Sequence, residues 1–120
     1  MAKLTLVGLG PGSLDLMSLR ARQAILDADV VAGYKAYVDL VRDLIDQQEV
    51  IQNGMTREWD RVAAAVVQAK AGRNVVMVCS GDAGMYAMAP LVLELLTEQG
   101  WDPELGPEVE IVPGITAANA

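Results

Sequence analysis

The sequence predicts an α/β domain built on an open, mostly parallel, five-stranded sheet flanked by helices. Three observations carry that prediction. Apolar runs rich in valine, above all Val75-Val76-Met77-Val78-Cys79, have the unbroken hydrophobicity of strands buried on both faces, as in parallel sheets covered by helices. These runs alternate with stretches of helical spacing, and strand–helix alternation implies right-handed crossovers between parallel strands. The runs also end in punctuated loops such as Gly8-Leu9-Gly10-Pro11-Gly12 and Ser80-Gly81-Asp82. With 120 residues, 52% of them hydrophobic, the chain has the length of one domain and the means to fill its core. Phenylalanine is absent, so aliphatic side chains and methionine must do the packing.

Taken in order, residues 3–9 read as the first strand, followed by the tight loop Gly8-Leu9-Gly10-Pro11-Gly12-Ser13. Ser18 is a suitable N-cap for a helix over 19–28, with Leu19, Ile25 and Leu26 expected on one face. Residues 30–32 form a short second strand ended by Gly33-Tyr34. A helix over 36–45 follows, with Tyr37, Leu40, Val41 and Leu44 at helical spacing. Residues 49–52 form the third strand, closed by the turn pair Asn53-Gly54. Thr56 caps a helix over 57–71 whose Ala63-Ala64-Ala65 favours helix, and Gly72 ends it. After the central strand comes a glycine-punctuated connection, and the next helix is expected over 90–98 because proline suits a first helical position. Residues 101–108 read as a loop, 108–112 as the fifth strand, and 115–120 as the opening turn of another helix. A second domain is expected beyond that turn.

Composition removes several function classes. A net charge of −7 gives none of the basic footprint of a nucleic-acid binder. No apolar stretch has the length of a membrane span, and Met1-Ala2-Lys3-Leu4 leads into a strand without the pattern of a signal peptide. One cysteine and no histidine leave no internal disulfide and no zinc-type cluster. The expectation is a reduced, cytoplasmic setting with no metal. Cys79, ending a buried strand, reads as a small core residue, and Arg57, Glu58, Asp60 and Arg61 as a solvated helix face.

The first loop resists a dinucleotide reading. The fingerprint wants a glycine where Ser13 stands, and Asp29 precedes the second strand instead of ending it. A phosphate-cradling loop is excluded because no Gly-Lys-Ser/Thr follows the glycines. Three loops nevertheless carry glycine at strand ends: Gly10-Pro11-Gly12, Ser80-Gly81-Asp82 and Pro113-Gly114-Ile115-Thr116. If their strands are neighbours, the loops converge on one rim of the sheet. Glycine lets backbone approach a ligand closely. Asp82 can accept from ribose hydroxyls or an amine, and Thr116 can donate or accept. The three loops hold no lysine or arginine, which suits a neutral or cationic nucleoside better than a polyphosphate. A non-catalytic nucleoside- or flavin-binding α/β domain is the competing reading.

The ordered set Gly8-Leu9-Gly10-Pro11-Gly12, Ser80-Gly81-Asp82 and Pro113-Gly114-Ile115-Thr116-Ala117 resembles the tetrapyrrole methylases. Gly33-Tyr34-Lys35-Ala36-Tyr37-Val38-Asp39, Ser80-Gly81-Asp82-Ala83-Gly84-Met85-Tyr86 and Thr116-Ala117-Ala118-Asn119-Ala120 look most like the branch that methylates C17 of precorrin-3B with ring contraction, a step of cobalamin biosynthesis. Another branch, acting on precorrin-4, is the alternative within the family. The resemblance implies S-adenosylmethionine as methyl donor and a cleft between this α/β domain, residues 1–120, and a second one. It implies cofactor contacts at Pro11, Ser80, Gly81, Asp82, Met85, Thr116 and Ala117, and a substrate-entrance loop at Gly10, Gly12 and Ser13. The expected partners are a tetrapyrrole, precorrin-3B or its cobalt form, and a second copy of the chain, with no nucleic acid and no membrane. By itself the chain is expected to be inactive. One departure is visible. Related uroporphyrinogen methylases carry an aspartate after the second strand, proposed as proton acceptor, and alignment on Ala28-Asp29-Val30-Val31 puts Tyr34 there. Tyr34 and Lys35 therefore become the candidates for proton handling or substrate contact. The plain alternative is that Tyr34 packs its loop and Lys35 is a solvated residue opening a helix.

Overall fold

A computed structural model describes residues 2–9, 17–53, 58–79, 82–102, 104 and 106–113. The elements are β1 (Lys3–Gly8), α1 (Leu19–Asp27), β2 (Val30–Tyr34), α2 (Lys35–Leu40), β3 (Glu49–Asn53), α3 (Glu58–Lys70), β4 (Val75–Cys79), α4 (Asp82–Glu98) and β5 (Glu108–Val112). A short 3₁₀ turn, Arg42–Leu44, follows α2. Every strand pair is parallel, in the order β3-β2-β4-β1-β5. The expected parallel α/β sheet is the sheet observed, and β4, the most hydrophobic run, lies at its centre with all five residues buried.

Side-chain alternation divides the sheet between two apolar layers. Leu4, Leu6, Val30, Ala32, Val75, Met77 and Cys79 point to the face covered by α3 and α4. Val7, Val31, Val76, Val78 and Val112 point to the face covered by α1 and α2. That doubly covered sheet is why its strands read as continuous hydrophobic runs rather than alternating ones.

Several local signals act as the sequence indicates. Ser18 caps α1, its Oγ accepting from the Ala21 N–H at 3.1 Å. Gly72 follows α3 with φ +97°, a left-handed conformation that favours glycine. Cys79 is buried.

Other expectations need correction. The apolar stripe of α1 is Ala21, Ala24 and Ile25, continued by Ala28, whereas Leu19 is 85% exposed and Leu26 is exposed too. Alanines at i, i+3 and i+7 of this stripe let the helix lie close to the sheet. β2 runs on through Gly33 and Tyr34, because Gly33 keeps its ladder position opposite Val78. The helix expected over 36–45 is α2 plus the separate 3₁₀ turn, divided at Val41, whose φ of −111° and ψ of 15° are not helical. The largest change is at α4, which begins at Asp82, not Pro90, and carries Pro90 inside it. Ala83, Met85, Ala87, Met88 and Ala89 favour helix strongly enough to hold it through a proline on its exposed face. The connection from β4 to α4 is therefore only Ser80-Gly81. Finally, Arg61 is 3% exposed, so the charge run opening α3 is not one solvated face. Arg61 stands four and eight residues before the buried Ala65 and Ala69, on the same stripe. Gly54, the cap expected at Thr56, and the turn expected over 115–120 lie outside the described residues.

Candidate functional site

The strand order brings together the strand ends from which the three punctuated loops leave. β4, β1 and β5 are consecutive in the sheet, so the chain leaves three neighbouring carboxyl ends at Ser80, Leu9 and Pro113. β1 and β4 stay paired to their last residues, Gly8 opposite Cys79. The Leu9 N–H then donates to the Cys79 carbonyl at 3.0 Å. The two loops thus start from one fixed point.

The helices decide which way each loop goes. α1 and α2, following β1 and β2, lie on one face, while α3 and α4, following β3 and β4, lie on the other. β4 sits between β2 and β1, and the chain departs from it toward the face opposite to both neighbours. Such reversals open crevices beyond the strand ends, where open α/β sheets bind ligands. β4 has such a reversal on each flank.

Of the residues singled out by sequence, Asp82 and Met85 lie in the first turn of α4, adjoining the end of β4. Pro11, Ser80, Gly81, Thr116 and Ala117, together with Gly10, Gly12 and Ser13 of the entrance loop, lie outside the described residues. Tyr34 closes β2, adjacent to β4, and with extended φ −64° and ψ 139° it precedes the first residue of α2. Its ring is half-buried and stands edge-on to that of Tyr37, with centroids 5.2 Å apart at an interplanar angle of 79°. This geometry is the favourable one for aromatic quadrupoles. Tyr37 packs in turn on the core. Lys35 opens α2 with its side chain 64% exposed, and its Nζ donates to Asp39 Oδ2 at 2.9 Å. That hydrogen bond, helped by one from Arg42, holds the Asp39 carboxyl below the usual carboxylate range despite an opposing desolvation effect.

Gly33 fits these residues to the sheet. A Cβ there would lie 2.6 Å from Val78 Cγ2 and 3.0 Å from the Val78 carbonyl oxygen. Only glycine lets β2 come this close to β4, and so Tyr34 leaves the sheet next to the β4 end.

The opposite edge of the sheet is occupied by structural bonding. The Asp29 carboxylate accepts from the Asn74 N–H at 2.8 Å, and Arg73 donates to Gln68 and Glu49. Gln48 donates to the Ile25 and Leu44 carbonyls. Two surface cavities lie there, one of about 260 Å³ beside Lys3, Arg20 and Asn74, and one of about 490 Å³ whose lining includes the bonded Asp29, Gln48 and Arg73. Asp29 lies at that edge, far from any ligand at the carboxyl ends, consistent with its failure as a ribose-binding acid.

A family model described as Tetrapyrrole (Corrin/Porphyrin) Methylases matches residues 3–120. The chain belongs to the tetrapyrrole methylases. Among curated family members it is 49% identical over 118 residues to a cobalt-factor III methyltransferase of Priestia megaterium, covering 98% of this chain and 22% of that protein. It is 45% identical to a probable cobalt-factor III C(17)-methyltransferase of Salmonella typhimurium, covering 98% of this chain and 47% of that protein. Of solved structures, the methyltransferase CobJ superposes with a TM-score of 0.75 at 34% identity, over 98% of this chain and 48% of that one. The cobalt precorrin-4 methyltransferase CbiF follows with a TM-score of 0.74 at 30% identity, over 96% and 46%. The chain spans about half the length of these proteins or less. No described helix is long and apolar enough to cross a membrane.

Proposed function

We propose that the chain is the N-terminal α/β domain of a two-domain, S-adenosylmethionine-dependent methyltransferase acting at C17 of a precorrin-3B-type tetrapyrrole, with the cobalt form, cobalt-factor III, as substrate. The observation that carries the site is the adjacency of the β4, β1 and β5 carboxyl ends, with the crossovers changing face on both flanks of β4. Preference for the cobalt form rests on the names of the two relatives at 49% and 45% identity.

The donor set suits the cofactor. By residue type, Ser80, Gly81 and Asp82 offer a hydroxyl, a backbone without a side chain and a carboxylate, a combination suited to ribose hydroxyls and a cationic nucleoside. S-adenosylmethionine supplies a methyl group on a positively charged sulfur. The task of this chain's residues is to hold donor and acceptor in line and to exclude water, which for methyl transfer accounts for most of the catalysis. In this reading Tyr34, whose ring meets that of Tyr37, contacts the tetrapyrrole or handles its proton. One domain supplies one wall of the cleft, so the chain by itself is expected to fold without catalysing.

The test is methyl transfer by the full-length protein from labelled S-adenosylmethionine to cobalt-factor III, with precorrin-3B and the precorrin-4 substrate alongside. Transfer to cobalt-factor III is expected. Transfer only to the precorrin-4 substrate would assign the chain to the other branch, and transfer to none would end the reading.

A further inference from the structure

Two cations stand together at the carboxyl ends of β2 and β3. Lys35 follows directly on the last residue of β2. Arg42, in the next turn, donates from Nε to Asp39 Oδ1 at 3.3 Å and from Nη2 to Gln52 Oε1 at 2.8 Å. Gln52 is the next-to-last residue of β3, so this bond ties Arg42 to the rim where Tyr34 leaves the sheet. Lys35 and Arg42 thus share a single hydrogen-bonded carboxylate, Asp39, so this bonded group carries one more positive than negative charge, with the exposed Asp43 following Arg42 in the same turn.

The other described cations lie elsewhere. Lys3 and Arg20 line the amino-edge cavity and pair with Glu110. Arg73 pairs with Glu49, and Lys70 donates to Gln99 where α3 and α4 end. Arg61 is buried, and Arg22 is exposed on α1. On a chain of net charge −7, a polyanion meets repulsion at most approaches. The Lys35–Arg42 corner is the described part of the ligand-binding rim that attracts one.

Resting on the methylase reading above, we propose that Lys35 and Arg42 form a docking pair for a carboxylate side arm of the tetrapyrrole. Asp39 holds the two cations in position until the substrate carboxylate takes its place on one of them. The exchange is easy, because ion pairs this exposed contribute little, whereas a guanidinium fork binds a carboxylate through two parallel hydrogen bonds. Tyr34 and Lys35 are consecutive, so a ring surface for the flat macrocycle and a cation for its acidic edge come from one short segment.

Fluorescence titration of the full-length protein with uroporphyrin III, and with its fully methyl-esterified form, tests this. Arg42→Gln and Lys35→Gln should each weaken uroporphyrin III binding about tenfold, the scale of one charge-assisted hydrogen bond. Lys35→Arg should recover most of the loss and Arg42→Lys only part of it, since lysine keeps the charge without the fork, and the ester should bind all variants alike. Wild-type affinity in both glutamine variants, an equal loss with the ester, or no binding of uroporphyrin III by the unaltered protein would each overturn the proposal. Calorimetry with S-adenosylmethionine separates the two ideas. Unchanged donor affinity in the variants leaves the methylase reading standing whatever the porphyrin does, while no donor binding by the unaltered protein defeats that reading by itself.

Discussion

Gly33→Ala probes the closest approach in the sheet. The added methyl would stand 2.6 Å from Val78 Cγ2, 3.0 Å from the Val78 carbonyl oxygen and 3.3 Å from Val38 Cγ2. Valine cannot swing away freely, and the oxygen belongs to the residue paired with Gly33 in the β2–β4 ladder. Relief must come from β2 moving away from β4. Overpacking of this kind costs about 1–3 kcal/mol. Alanine returns about 0.4–1 kcal/mol by restricting the unfolded chain. The net loss should be about 1–2 kcal/mol, lowering the urea midpoint by roughly 1 M with an unchanged slope. Adding Val78→Ala removes the 2.6 Å contact and leaves the carbonyl one. The double variant should therefore lose about 0.5–1.5 kcal/mol less than the sum of the single losses. Equal stability of Gly33→Ala and the parent, or strict additivity in the double variant, would refute the argument that only glycine fits between these strands.

Ser18→Ala should destabilise the fold by about 1 kcal/mol in the same urea assay, with Ser18→Asn close to the parent, because the capped Ala21 N–H loses its acceptor. Asp39, with its carboxyl held low by Lys35 and Arg42, adds stability above its unfolded pKa and loses it as pH falls through the lower folded value. In a carbon-detected NMR titration its midpoint should lie below that of an unstructured aspartate and move upward in Lys35→Gln; an unmoved midpoint would contradict the cause assigned. Asp82→Ala in the full-length protein should weaken S-adenosylmethionine binding by about 1.5–3 kcal/mol, the value of a hydrogen bond to a charged group, and unchanged calorimetric affinity would remove Asp82 from the site. Tyr34→Phe should lower kcat with little effect on cofactor affinity, and parental turnover would return Tyr34 to a packing role.

The strands were legible because their cause is local: β5 and β4 occupy the residues that their valine-rich runs mark out. Ser18 and Gly72 were legible for the same reason, each answering a need of one helix end. What failed were choices between competing local signals. Pro90 argues for a helix start, yet the alanines and methionines before it carry α4 back to Asp82. Leu19 and Leu26 look like core residues until the sheet's nearness selects Ala21, Ala24 and Ala28 instead. Arg61 could have been found by its spacing from Ala65 and Ala69, but its charge argued for solvent. At the site, the glycine loops are plain in sequence, while the adjacency of the strand ends that carry them depends on strand order. That order follows from which face each crossover takes, and no single segment encodes it. The Lys35–Arg42 pair needed Gln52, ten residues away from Arg42, to be seen as part of the rim.

The placement of β1 between β4 and β5 has a consequence for the order in which the chain can fold. Leu4 pairs with Val75 and Val109, so the first strand made has no sheet partner until some seventy further residues exist. At synthesis rates of about 5–20 residues per second, Leu4, Leu6 and Val7 wait roughly 4–14 s without a neighbouring strand. β2 and β3, linked through α2 and its following turn, form the one adjacent pair that can assemble early. Until β4 arrives and inserts between β2 and β1, the nascent chain holds an unpaired apolar strand, the condition that invites capture by chaperones or by other chains.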